Sequence, residues 1–141
     1  MPQVRVEKVI LADRDKVFNT VTDFVNLPNK LPNVFKLVTI LSQDSDVIIT
    51  EEFVVMAGRE ITQKVRHVVK APSIHEVFIL EGDARDSHIV ENYESSGKET
   101  KITIDADFKL GGKLKVLGFF AKGKIKKSIE ETMDEFAKIL E

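Results

Sequence analysis

Hydrophobic and polar residues alternate with a period of two from residue 34 to residue 110. Such alternation predicts β-strands, because successive side chains of a strand point to opposite faces. We place strands at residues 2–11, 34–43, 46–57, 60–70, 74–81, 85–95 and 98–110. Turn residues separate them, including Asp44-Ser45, Gly58-Arg59 and Ser96-Gly97. Over residues 74–81 both faces are apolar, so the inward face of that strand stays open.

Between the first two strands the pattern becomes helical. Apolar residues recur at helical spacing over residues 14–24, and Asp13 is suited to cap the start of this helix. Pro28 and Pro32 follow closely. Because proline has no amide hydrogen and restricts the residue before it, at most one further helical turn is expected there.

A longer apolar stripe runs through the C-terminal part of the chain, opposite lysines and glutamates. Its members are Leu114, Leu117, Ala121, Ile125, Ile129, Phe136 and Leu140. Gly118 and Gly123 are expected either to bend this helix or to delay its firm start to about residue 123. Strands joined by hairpins are antiparallel, and the helix must bury its stripe on their sheet. We therefore predict one α+β domain over residues 1–141: a seven-stranded antiparallel sheet around a long C-terminal helix, with two short helices after the first strand.

The composition narrows the chemistry. The 141 residues carry a net charge of -2 and no cysteine, which excludes disulfides, thiolate metal sites and cysteine nucleophiles. Three scattered histidines, His67, His75 and His88, do not predict a metal site, and no cofactor motif is present. The negative charge argues against nucleic acid as a partner. Since the N-terminus lacks an apolar leader, we expect a cytoplasmic protein. Since neither a metal-ligating cluster nor a cofactor motif is present, we expect that it uses neither metal nor cofactor.

Three segments resemble a known family. They are Ala12-Asp13-Arg14-Asp15-Lys16-Val17-Phe18, Asp23-Phe24-Val25-Asn26-Leu27-Pro28 and Gly58-Arg59-Glu60-Ile61-Thr62. With the element order, they resemble the START-like, or Bet v 1-like (SRPBCC), superfamily, and within it the polyketide cyclase/dehydrase group and the coenzyme-Q-binding START-like proteins. The resemblance implies a helix-grip fold, in which a curved sheet leaves a cavity against the C-terminal helix. It also implies a small hydrophobic or amphipathic ligand, such as a lipid, an isoprenoid or quinone, or a polyketide-like molecule.

Polar side chains stand on strand faces that otherwise carry apolar residues. Gln63 and His67 share such a face, and the predicted hairpins place the even-numbered residues of 50–56 and Glu91 on the same side of the sheet. A buried charge costs several kcal/mol unless it is paired. These residues therefore predict paired groups in the core or a wet cavity, or they face solvent if the register is shifted by one residue. The candidate ligand-binding residues are Thr50, Val54, Met56, Ile61, Gln63, Val65, His67, Glu91, Tyr93, Ile102, Ile104, Phe108, Leu117 and Ala121.

His67 and Glu91 are the candidate acid and base. An imidazole titrates near neutral pH, which suits proton transfer to or from a substrate. The same histidine is also consistent with a hydrogen-bonded core residue or a polar anchor for a ligand, and Glu91 with a solvent-facing position.

A basic segment precedes the C-terminal helix. Residues 113–127 contain six lysines, with Phe119 and Phe120 between them. Two interpretations stay open. The lysines form either a solvated helix face or a surface that contacts anionic membrane while a ligand is taken up beside the cavity.

Three functions fit these patterns. The first is binding or transport of a small hydrophobic or amphipathic molecule, driven by burial of apolar surface at roughly 25 cal/mol per Å². The second is a polyketide cyclase or dehydratase that uses the same cavity, and the third is a protein-interaction module. The absence of a clear catalytic motif favours the first.

Overall fold

The computed structural model describes residues 3–141, which form seven β-strands and three α-helices. The strands are β1 (Gln3–Ile10), β2 (Phe35–Asp44), β3 (Val47–Met56), β4 (Arg59–Lys70), β5 (Ile74–Glu81), β6 (His88–Ser96) and β7 (Glu99–Asp107). The helices are α1 (Arg14–Val21), α2 (Leu27–Lys30) and α3 (Ala121–Leu140), with 3-10 segments at Phe24–Asn26 and Gly112–Phe120. Residue 2, part of the predicted first strand, lies outside the described residues. Within residues 3–141, no helix is both long and apolar enough to cross a membrane.

All seven strands belong to one curved antiparallel sheet in the order β1-β7-β6-β5-β4-β3-β2. Strands β2 to β7 pair with their neighbours in the sequence, whereas β1 pairs with β7. Helix α3 packs on the inner face, where Lys8 of β1 contacts Asp134 at 2.8 Å. The buried residues of α3 are Ala121, Ile125, Met133, Phe136, Ala137 and Leu140. The predicted helix-grip arrangement is confirmed.

Two hairpins turn one residue away from their predicted positions. The β3–β4 turn is Ala57-Gly58, with positive φ at both residues, so Met56 pairs with Arg59. The β6–β7 turn is Gly97-Lys98, one residue later than predicted. Moving a two-residue turn by one position changes the pairing register by two residues, and a two-residue change keeps each side chain on its original face. The inward faces therefore remain as predicted although both turns were misplaced.

The connection between β5 and β6 is longer than the sequence pattern predicts, because residues 82–87 form a loop before β6 begins. Gly82 adopts a φ of +116°, and a Cβ atom there would lie 2.7 Å from the carbonyl oxygen of Thr62. Only glycine fits this close approach, which brings the loop against the first part of β4. Strand β7 ends at Asp107, three residues before the predicted end at residue 110.

Local residues determine where the helices begin. The Asp13 side chain accepts a hydrogen bond from the backbone amide of Asp15 at 3.2 Å, so the predicted N-cap of α1 is confirmed. Helix α2 is the single predicted turn. Gly118 interrupts the 3-10 segment with a φ of +53°, and α3 begins at Ala121, slightly earlier than predicted.

The inward face of β5, which the sequence leaves open, carries its odd-numbered residues. His75, Val77 and Ile79 are buried there, while Ile74 and Phe78 on the other face are only partly buried.

Candidate functional site

A cavity of about 160 Å³ lies between the inner face of the sheet and α3. Its lining residues are Val34, Phe35, Glu52, Val54, Val55, Met56, Gln63, Ile89, Glu91, Ile104, Phe108, Ile125, Ser128, Ile129, Thr132 and Met133. Among the described residues, its only charged side chains are two carboxylates on the sheet, and no lysine or arginine lines it. Gln63 is only 7% exposed, and its Oε1 atom has no hydrogen-bond partner within residues 3–141. The sheet wall therefore offers hydrogen-bond acceptors inside a mostly apolar space.

An open groove of about 430 Å³ adjoins this cavity. Val34, Val55, Ser128 and Thr132 line both spaces. The outer wall of the groove adds Asn33, Ala57, Gly58, Lys124, Lys127, Glu131 and Glu135. The groove thus lies between the β3–β4 turn and the middle of α3.

Four ionisable side chains form a continuous hydrogen-bonded chain across the inner face of the sheet. Glu52 Oε2 lies 2.9 Å from His67 Nε2, and His67 Nδ1 lies 2.9 Å from His75 Nε2. His75 Nδ1 lies 2.8 Å from Glu91 Oε1. The neighbouring strands β3, β4, β5 and β6 supply one member each. We refer to these four residues as the Glu52–Glu91 chain.

Both ends of the Glu52–Glu91 chain receive one further hydrogen bond. Thr50 donates its hydroxyl to Glu52 Oε2 at 2.6 Å, and Tyr93 donates its hydroxyl to Glu91 Oε1 at 2.7 Å. The Phe24 ring stacks on His67 with ring centroids 4.0 Å apart. The two carboxylates line the cavity, whereas neither histidine does. The chain thus reaches the cavity through its ends.

Burial disfavours the charged form of Glu52, but the hydrogen bond and charge of His67 and the hydrogen bond from Thr50 outweigh it and lower the pKa of this carboxyl. Burial also opposes ionisation of Glu91, and the charge and hydrogen bond of His75 reverse it, so the pKa of Glu91 is lowered as well. A lowered carboxyl pKa means that folding favours the charged form. Both carboxylates therefore stabilise the fold above about pH 4.5, their ordinary pKa, and lose that contribution as the pH falls.

For His67 and Tyr93, burial shifts the pKa toward the neutral form. It lowers the pKa of His67, against the opposing hydrogen bond and charge of Glu52, so the neutral imidazole is favoured. It raises the pKa of Tyr93 well above 10, and the adjacent Glu91 carboxylate adds to the effect. Tyr93 is therefore a neutral hydrogen-bond donor.

The predicted ligand-binding residues fall into three groups. The cavity wall contains Val54, Met56, Gln63, Glu91, Ile104 and Phe108. The Glu52–Glu91 chain and its end contacts contain Thr50, His67 and Tyr93. The buried core away from the cavity contains Ile61, Val65, Ile102, Leu117 and Ala121. Leu117 and Ala121 lie apart because the cavity faces the middle of α3, from Ile125 to Met133, and neither its first turn nor the 3-10 segment before it.

Two members of the Glu52–Glu91 chain are not among the site residues predicted from the sequence. Glu52 was left out of the candidates, although it alternates with Thr50 and Val54 on the inward face. No role was assigned to His75, because the apolar residues on both faces of β5 concealed its inward orientation. Its signal was the alternation with Val77 and Ile79.

Several solved structures share this fold. TTHA0849 from Thermus thermophilus has a TM-score of 0.83 and 15% identity, covering 97% of this chain and 95% of that one. A START superfamily protein from Mycobacterium smegmatis has a TM-score of 0.85 and 17% identity, covering 98% and 96%. The Zhui aromatase/cyclase from Streptomyces sp. R1128 has a TM-score of 0.77 and 14% identity, covering 98% and 90%. No curated protein sequence matches the chain.

At these identities the solved structures show a shared fold, and the sequence itself shows the family. The family described as polyketide cyclase / dehydrase and lipid transport matches residues 1–141, which agrees with the helix-grip architecture. The chain therefore belongs to the family described as polyketide cyclase / dehydrase and lipid transport.

Proposed function

We propose that the protein binds a compact apolar molecule carrying a hydrogen-bond donor, in the cavity between the sheet and α3. The observation behind this proposal is Gln63 Oε1, a buried acceptor without a partner among the described residues, in the same wall as Glu52 and Glu91. A buried acceptor left unpaired costs about 1–3 kcal/mol, which a hydroxyl or amine of a ligand recovers. A carboxylate or phosphate headgroup would instead meet two like charges and no lysine or arginine in the described cavity wall.

The dimensions of the cavity set the size of the ligand. A space of about 160 Å³ is close to an apolar cavity of about 150 Å³ that holds benzene, and it is smaller than the roughly 300–1,000 Å³ of common ligand sites. We therefore propose that a single ring or short chain fills the cavity. The polyketide, isoprenoid or lipid ligands that the family suggests would extend their remaining atoms into the groove.

Two aromatic probes of similar size test this proposal. Benzyl alcohol and benzoate share a ring and differ in the headgroup. We expect benzyl alcohol to bind and benzoate not to bind measurably, in titrations followed by protein NMR. Mass spectrometry of small molecules released on denaturing the freshly purified protein provides an independent identification.

Gln63→Leu removes the unpartnered acceptor while keeping similar volume. We expect it to weaken benzyl alcohol binding roughly tenfold. Thr62→Val is the matched control, because Thr62 is the neighbouring residue on the exposed face of β4 and should leave the affinity unchanged. Equal binding of the two probes, or no binding of benzyl alcohol, contradicts the proposed function.

We also propose that the segment before α3 contacts anionic membrane during ligand uptake. Val116 and Phe120 are largely exposed and Phe119 is fully exposed, among the lysines of residues 113–127. Phe119 lies at a separate surface depression and not at the groove, whereas Lys124 and Lys127 line the groove. A ligand leaving the bilayer would therefore pass along the first turns of α3.

Vesicle co-sedimentation checks the membrane proposal. Each lysine near an anionic surface contributes about 1 kcal/mol of attraction, which salt screens. We expect binding to anionic vesicles at low salt, weakened by added salt and by Lys→Glu at positions 122, 124 and 126. Lys98→Glu, at an exposed turn outside the segment, is the control. If the protein stays in the supernatant with anionic vesicles at low salt, the lysines are only a solvated face.

Cyclase or dehydratase chemistry is the second candidate function, and the position of Glu91 in the cavity wall favours it. His67, the other candidate catalytic residue, is held between Glu52 and His75 and does not line the cavity. In that case Glu91 would act on the substrate, and His67 would act only through the chain. Turnover of a polyketide-like substrate that Glu91→Gln abolishes while binding persists would support this alternative.

A further inference from the structure

The hydrogen bonds of the Glu52–Glu91 chain fix its number of protons. Its three contacts, at 2.9, 2.9 and 2.8 Å, each need one shared proton. Two neutral imidazoles carry one N–H each, and two carboxylates carry none, which gives only two protons. The complete chain therefore holds one additional proton and has a net charge of -1. We call this additional proton the stored proton.

The surroundings supply no other charge that balances the two carboxylates. Strand β3 contributes Glu52, β4 contributes His67, β5 contributes His75, and β6 contributes Glu91 with the neutral Tyr93 hydroxyl. The polar residues of α3 that line the cavity are Ser128 and Thr132. No lysine or arginine within residues 3–141 lines it. The stored proton therefore balances the charge of one of the two buried carboxylates.

We propose that the cavity selects a small protonated amine with an apolar body, which takes the place of the stored proton on binding. This inference rests on the proposed function and names its ligand class. The ammonium group donates to the Glu91 carboxylate and to Gln63 Oε1, and both residues line the cavity. The ring or chain of the amine occupies the apolar remainder of the space.

The exchange conserves charge inside the protein. Before binding, the chain carries -1 with its stored proton. When the ammonium enters with its charge of +1, His75 Nδ1 releases the stored proton to solvent, and the chain with two protons carries -2. The site with its ligand again carries -1. Glu91 keeps the hydrogen bond from Tyr93 and gains one from the ammonium, while its contact with His75 Nδ1, now without a shared proton, opens. No oxidant, metal or further reactant is needed.

Proton release on binding is a direct test. Benzylamine and benzyl alcohol share the same ring, and calorimetric titrations in buffers of different ionisation enthalpy measure how many protons each one displaces. We expect benzylamine to release about one proton per molecule bound and benzyl alcohol to release none. Glu91→Gln should weaken benzylamine roughly tenfold or more and abolish its proton release, while benzyl alcohol changes little. Glu76→Gln, in the partly exposed Glu76–His88 pair on the other face of the sheet, is the matched control.

The outcomes separate the two proposals. If benzyl alcohol binds and benzylamine does not, or benzylamine binds without releasing a proton, the stored-proton exchange is wrong and the proposed function stands. If neither binds, both fail. Nitrogen-15 NMR of the histidine rings adds a test on the unmodified protein. At neutral pH, three of the four ring nitrogens of His67 and His75 should carry a proton, and two after benzylamine binds. A free protein with only two protonated nitrogens overturns the inference.

Discussion

Replacing Phe136 with alanine is expected to lower the free energy of unfolding by about 3–5 kcal/mol. Phe136 lies on the buried face of α3 and is only 2% exposed. Its removal loses the transfer energy of a large ring and leaves a cavity that the surrounding sheet and helix can fill only in part. Chemical denaturation, followed by circular dichroism, measures the change.

The control for Phe136 is on the same helix. Ile139 is 45% exposed, so Ile139→Ala should cost much less, within about 1 kcal/mol. A loss below about 1 kcal/mol for Phe136→Ala would mean that α3 does not bury this face against the sheet.

His67→Leu is expected to cost roughly 3–5 kcal/mol, because it breaks the Glu52–Glu91 chain near its middle. Leucine fills much of the space of the imidazole but makes no hydrogen bond. Glu52 then keeps only the Thr50 hydroxyl of its two partners at Oε2 and remains a buried charge without a nearby cation among the described residues. The loss is measured by denaturation near pH 7.

The matched control for His67 is a histidine–carboxylate pair on the surface. His88 Nε2 lies 3.1 Å from Glu76 Oε2, but the His88 side chain is 43% exposed, so His88→Leu should cost no more than about 1 kcal/mol. The pH adds a second check. Without His67, burial raises the pKa of Glu52, so this carboxyl takes up a proton more readily as the pH falls and loses its unpaired charge. The difference between wild type and His67→Leu should therefore narrow at acidic pH, and a constant difference would mean that an unpaired charge is not its cause.

Element order and the inward faces follow from local patterns, and for that reason the sequence predicts them. The β3–β4 and β6–β7 turns were each misplaced by one residue, yet Gln63 and Glu91 still face inward. Side-chain direction has a period of two, and these turn errors changed the register by two. The face is therefore more robust to such errors than the list of paired residues.

The hydrogen-bonded chain itself could not be predicted from the sequence. Glu52, His67, His75 and Glu91 come from four strands, and each pair meets only through the registers of three hairpins and the curvature of the sheet. The position of the cavity was likewise hidden. It depends on which turn of α3 stands over the sheet, and Leu117 and Ala121 were chosen by the apolar stripe alone.

The pairing of β1 with β7 has a consequence for how the chain folds during synthesis. Strands β2 to β7 can assemble by successive local hairpins, but Val4 of β1 pairs with Ala106 of β7, about a hundred residues later. Strand β1 is synthesised before β7, so its hydrogen-bonding edge and its apolar residues stay unpaired until β7 has been made. Closing so long a loop is slow compared with hairpin formation, so docking of β1 together with α3 is expected to be the late event in folding.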